Sequence, residues 1–250
     1  MTGSAPISFV ATKGQAMEKE PDVAIVFGDL EGPDNALWPV VVAEVGFSQP
    51  YNSLLIDARQ WLLKADKPPN LVMLLKINED TAGLRKRKTT DDYAVRVKNL
   101  LRSYADGHAL AKADMDGEGI SGHNFDPQGM KRDILMEDWV GPMQVFFELW
   151  MRDDTKADIC LRGQRYSVIP AVQGQERPVL LATDLIPDIY QSRFKDFDPN
   201  RQTELDFVPF QTVFTKACRT LAESRAWDYL RPGRVHEFSD PDYQLPDTGI

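Results

Sequence analysis

The stretch that most constrains this chain runs from Trp38 to Ile77, WPVVVAEVGFSQPYNSLLIDARQWLLKADKPPNLVMLLKI. Val40, Val41 and Val42 are a β-branched run that predicts a buried strand, ending at a carboxylate, Glu44, and breaking at Gly46. From Asn52 to Leu63 the apolar residues Leu54, Leu55, Ala58, Trp61 and Leu62 recur at helical spacing. Asn52 or Ser53 is the expected N-cap, and Pro68-Pro69 stops the helix. Leu71 to Ile77 is a second apolar run of strand length. Strand, helix, strand in this order is a βαβ unit, whose two strands are expected to run parallel.

Another strand precedes the unit. Pro21-Asp22 introduces Val23-Ala24-Ile25-Val26-Phe27, and the turn-rich GDLEGPDNALWP leads from it to the Glu44 strand. If these two strands pair, Asp22 comes close to Glu44. Two carboxylates brought together repel, and burial raises the cost; a divalent cation relieves both. An oxygen-only pair suits Mg2+ or Mn2+ better than zinc. A second arrangement needs no metal: Glu44 pairs with Arg59 across the strand-helix junction. Lys13 and Lys19 also precede the acidic pair and are placed to lean towards it, although lysines beside a strand are ordinarily solvated.

The ordered combination of PDVAIV, VVAEVGFS, a helix bearing Asp57, Arg59 and Trp61, and LVMLLKI resembles the PD-(D/E)XK nuclease-like superfamily. Within it, the chain is similar to bacterial restriction-endonuclease-like proteins whose strands read PDVAVV and VVEVLSPS, and to fungal proteins of the same fold. The likeness covers residues 13 to 77 and, more loosely, 143 to 188. It implies an α/β, restriction-endonuclease-like mixed β-sheet flanked by helices, with an α-rich insertion and a C-terminal helix. The core would span residues 1–188 with its insertion at 78–142, and a helical extension with an acidic tail would occupy 189–250. The activity implied is Mg2+-dependent hydrolysis of nucleic-acid phosphodiester bonds. Asp22, Glu44 and the carbonyl of Val45 would hold the metal, and Gln49, Arg59 and Lys76 would give polar assistance. The chain departs from the superfamily pattern at Gly46, where a lysine is usual; the bacterial proteins move that lysine to the following helix, near Asp57 and Arg59. The alternative is therefore a catalytically inactive module that keeps the fold and binds protein or nucleic acid.

The insertion has its own character. Residues 83 to 102 carry seven Lys or Arg against two Asp, and Thr89-Thr90-Asp91 supplies an N-cap for a helix burying Tyr93, Val97, Leu100, Leu101 and Tyr104. Arg85, Lys86, Arg87 and Lys88 are the candidate nucleic-acid contacts, set against the plainer reading of a solvated basic helix. DMDGEG resembles a calcium loop only by letters, since in that register Lys112 and His123 take the end positions. Further on, MQVFFELWMR reads as a strand in which Glu148 is expected to be an edge or outward residue rather than a third metal ligand. A hairpin around Arg162-Gly163-Gln164 and a short strand at Val179 to Ala182 complete a mixed sheet. A helix is predicted over Pro209 to Tyr229, and the tail from His236 is predicted to be poorly ordered.

Composition, at 42% hydrophobic and 27% charged, is that of a globular chain large enough for a substantial core. A net charge of −9 disfavours indiscriminate nucleic-acid binding, because phosphate contact is driven by cations releasing counterions, but it leaves room for a local basic patch. Cys160 and Cys218 fit no metal spacing and point to a reducing compartment. With no membrane-length apolar run and no secretory h-region in MTGSAPISFVATKG, the expectation is an intracellular protein with no membrane partner. Cytoplasm and nucleus are not distinguished. Nucleic acid and a second copy of the chain are the partners left open.

Overall fold

The structure is a computed structural model that describes residues 7–10, 16–28 and 37–233. The chain forms two compact units, Met1–Asn78 with Met143–Gln211, and Glu79–Pro142 with Thr212–Ile250.

The first unit holds the sheet. A small antiparallel ribbon pairs β1 (Ile7–Val10) with β2 (Ala16–Lys19). The main sheet has five strands in the order β3 (Val23–Gly28), β4 (Leu37–Phe47), β5 (Leu71–Glu79), β6 (Met143–Asp153) and β7 (Asp158–Ile169). β3 and β4 are antiparallel, β4 and β5 parallel, β6 and β7 antiparallel, so the sheet is mixed. The turn predicted between β3 and β4 lies outside the described residues.

Between the two parallel strands runs α1 (Tyr51–Lys64), completing the βαβ unit. Its N-cap is Pro50 and carries no side-chain cap bond, so neither Asn52 nor Ser53 serves as cap. The helix lies on the sheet because its apolar stripe matches the alternation of the strands. Leu54, Ala58, Trp61 and Leu62 pack against Val42, Val72 and Leu74 in one buried cluster. Burying such side chains contributes about 1.5–3 kcal/mol each, which is why this unit organises the chain.

Three corrections follow from the later strands. The residues around Arg162-Gly163-Gln164 do not turn in a hairpin but lie within the single strand β7, paired with β6. The short strand near Val179 does not join the main sheet: β8 (Val179–Leu181) and β9 (Gln202–Glu204) form their own antiparallel pair. Glu148 of β6 is 1% exposed, not outward. Its carboxylate accepts from Tyr51 Oη (2.7 Å), Trp150 Nε1 (2.9 Å) and Arg165 Nε (2.7 Å), and these donors offset its burial. Burial and the Glu148 charge together push the Tyr51 phenol up to about 12.

The second unit is helical. α2 (Thr81–Arg87), α3 (Asp91–Tyr104), α4 (Gly107–Lys112) and α5 (Pro127–Asp133) come from the insertion. The short α6 (Ala182–Leu185) and α7 (Asp188–Gln191) belong to the first unit, and α8 (Val208–Leu230) contributes most of its length to the second. As expected, Thr90 caps α3 by accepting from the Tyr93 N–H, and Val97, Leu100, Leu101 and Tyr104 are buried. Glu79 receives both guanidinium nitrogens of Arg225, at 2.6 and 2.8 Å. Asp138 is held between Arg87 (2.8 Å) and Arg96 (2.7 Å). No helix among the described residues is long and apolar enough to cross a membrane. The tail expected to lack order lies outside the described residues.

Candidate metal centre

The β3/β4 register pairs Val23 with Ala43, so the next residue out, Asp22, arrives beside Glu44 at the end of the ladder. There Asp22 Oδ2 accepts from the Val45 N–H at 2.7 Å. A strand residue presents its N–H and C=O to the same edge. The Val45 carbonyl therefore also faces the Asp22 side, where β3 no longer pairs.

Glu44 points the other way from Val45, onto the α1 face, and is only 7% exposed. Its Oε1 accepts from the Trp61 indole N–H and lies 3.3 Å from Lys19 Nζ. Burial pushes the Glu44 carboxyl above its ordinary value. The Trp61 hydrogen bond and the Lys19 charge pull it back in part, and the Asp22 charge adds to the rise.

Lys19 and Asp57 complete the cluster; the sequence points to both, but assigns neither a metal or catalytic role. Lys19 Nζ lies 2.6 Å from Asp57 Oδ1, and Gln49 Nε2 donates to Asp57 Oδ2 at 3.2 Å. Asp57 and Trp61 are one turn apart on α1, so they reach the same edge of the sheet. The ammonium also stands 5.2 Å from the centre of the Trp61 ring. The expectation of a solvated lysine is thus overturned: two carboxylates and an aromatic face draw Lys19 in. The available signal was its place three residues before Asp22, one strand end away from the site.

The other predicted residues are not gathered here. Arg59, two positions from Asp57, projects from a different side of the helix and pairs with Asp158 at 3.1 Å in exposed surroundings. That also corrects the expected Glu44 to Arg59 pair. Lys76 shares the α1 face with Glu44, its neighbour Gly46 being in register with it. It is 4% exposed, and its ammonium donates to the Ile77 carbonyl (2.9 Å) and the Gly46 carbonyl (3.4 Å). Burial lowers its pKa. In the second unit Arg85 folds back on Thr81, Arg87 is committed to Asp138 and Glu137, Lys86 is exposed, and Lys88 stands 5.8 Å from the Trp139 ring centre.

Among the described residues no group of three or more His, Cys, Asp or Glu side chains is arranged to hold a metal ion. The donors present are two carboxylates and a main-chain carbonyl. That oxygen set fits a small hard cation such as Mg2+, which retains water in its remaining positions. It suits zinc less well, since zinc sites are ordinarily completed by nitrogen or sulfur ligands. Comparisons with protein-family models, with curated proteins and with solved structures find no match for the chain.

Proposed function

We propose that the chain is a Mg2+- or Mn2+-dependent phosphodiester hydrolase of the restriction-endonuclease-like class, acting on nucleic acid. The observation that carries this reading is the juxtaposition of Asp22 and Glu44 at the end of the β3/β4 ladder, with the Asp22 carboxylate on the Val45 N–H at 2.7 Å. Asp22, Glu44 and the Val45 carbonyl would hold the cation; when bound it would supply an activated water and neutralise charge on the phosphate. The chain's own contribution is to hold these oxygens in place. Trp61 fixes Glu44 from below, the Val45 N–H fixes Asp22, and Gln49 is set by Asp57 with an amide at the rim. Arg85 and Lys86 of α2 offer exposed positive charge for phosphate contact.

The test is calorimetric titration of MgCl2 and MnCl2 into wild type and Asp22→Ala, with plasmid and single-strand cleavage assays on both. Binding and cleavage in the wild type, both lost in the variant, are expected. Cleavage that survives in Asp22→Ala sinks the assignment. A second reading, a catalytically inactive module on the same fold, is favoured by one observation: Gly46, where the resembling superfamily carries its lysine, is closed over by Leu54. Metal binding without cleavage of any substrate would select it.

A further inference from the structure

We propose that Lys19 is the resident counter-ion of the acidic site. It neutralises Glu44 and Asp57 in the cation-free protein, and it is displaced from Glu44 when that carboxylate takes up a divalent cation, remaining tethered to Asp57. This inference rests on the metal-dependent reading above and adds a control on cation entry to it.

The geometry points this way in three respects. The hold is unequal: Asp57 is reached at 2.6 Å and Glu44 at 3.3 Å, so Asp57 is the anchor and Glu44 the weaker contact. The anchor is itself fixed, because Gln49 donates to the other oxygen of Asp57 at 3.2 Å. Finally, Nζ is shielded from solvent and held mainly by the charge of two carboxylates, so a stronger charge can replace it on Glu44. Glu44 keeps a donor after the exchange, since the Trp61 N–H is neutral and stays in place.

The cost of the arrangement is readable as affinity. A single and a double positive charge about 5 Å apart repel enough, even at the dielectric of water, to weaken binding roughly tenfold. Lys19 therefore raises the cation concentration at which the site fills. Once off Glu44, its ammonium remains at the rim as a positive charge available to an anionic phosphodiester.

The experiment is calorimetric titration of MnCl2 and MgCl2 into the full chain as wild type, Lys19→Met, Lys19→Arg, Asp57→Asn and Glu44→Gln. Lys19→Met should bind about tenfold more tightly than wild type, and Lys19→Arg should stay close to wild type. Asp57→Asn should bind more weakly, because a lysine released from its anchor settles fully on Glu44. Thermal melts in EDTA should show Lys19→Met less stable than wild type, with the difference shrinking in saturating MnCl2. A lysine that merely supports the fold would weaken binding when removed, the opposite sign. Unchanged or weaker binding by Lys19→Met, in a protein whose binding is abolished by Glu44→Gln, overturns the Lys19 inference and leaves the metal-dependent reading standing. Binding by Lys19→Met alone supports the inference with a counter-ion that excludes the cation. No binding by any of the five overturns both. Should Lys19→Met not fold, the Lys19→Arg and Asp57→Asn affinities decide: equal affinity in Asp57→Asn and wild type refutes the tether.

Discussion

Gly46 gives the sharpest stability prediction, because any side chain placed there would meet the buried Leu54. A Cβ built on Gly46 would stand 2.5 Å from Leu54 Cδ1, 3.0 Å from Cγ and 3.1 Å from Cδ2. Carbon atoms rest about 3.5–4.0 Å apart. Leu54 cannot swing clear, for it is 1% exposed and locked among Val42, Ala58, Trp61 and Leu62. The conflict is steric and not conformational, since Gly46 is not among the residues with positive φ. Overpacking of this kind costs about 1–3 kcal/mol, against a gain of about 0.5–1 kcal/mol that alanine ordinarily brings over glycine within a strand. Gly46→Ala should therefore lose about 1 kcal/mol at the middle of these ranges, and up to about 2.5 kcal/mol, in guanidinium unfolding, with an unchanged slope. Leu54→Ala alone should lose about 2–5 kcal/mol through the cavity it leaves. In the double variant the new methyl enters that cavity, so the two losses should fall short of their sum by about 1–3 kcal/mol. Gly46→Lys should be less stable still and should not raise cleavage. An unchanged midpoint for Gly46→Ala, or a cycle additive to within about 0.5 kcal/mol, would refute the argument.

Glu148→Leu strips the acceptor from Tyr51 and Trp150 and the partner from Arg165. It should cost about 2–4 kcal/mol by chemical unfolding, the half-exposed Arg165 being able to turn to water; a loss under about 1 kcal/mol contradicts the network's role. The Glu79 carboxyl is held below its ordinary value by Arg225. Burial pushes Asp138 up, but Arg96 and Arg87 outweigh it and leave it low as well. For a carboxyl lowered by folding, the native state binds fewer protons than the unfolded chain, so the contribution is complete above the ordinary range and lost as pH falls through the folded value. Stability should drop below about pH 4, and less steeply in Arg96→Met; identical slopes in the two proteins would contradict the pairing. Arg59→Ala should change metal affinity and cleavage by less than about twofold, because its partner is the exposed Asp158. A tenfold or larger loss would return Arg59 to the site.

What the sequence determined by itself is what local periodicity and short-range order can carry. The β-branched run from Val40, the helical stripe from Leu54 to Leu62 and the run from Leu71 dictate a βαβ unit and its buried face. The PD strand ahead of it, once paired antiparallel with the Glu44 strand, brings Asp22 to Glu44. The Thr90 cap was equally legible, being a contact across three residues. Only tertiary structure decided the rest. Lys19 reaches Asp57 and Glu44 from the end of β2, while Arg59, also cationic and nearer in sequence, turns away. Glu148 is buried because Tyr51, 97 residues earlier, and Arg165, 17 later, supply donors to it. Residues of the insertion and of the C-terminal helix share one compact unit although the strands of the other unit separate them in the chain. Periodicity tells which face of an element is buried, but charge pairing is a matter of distance in space, and distance in space is what the order of residues does not encode.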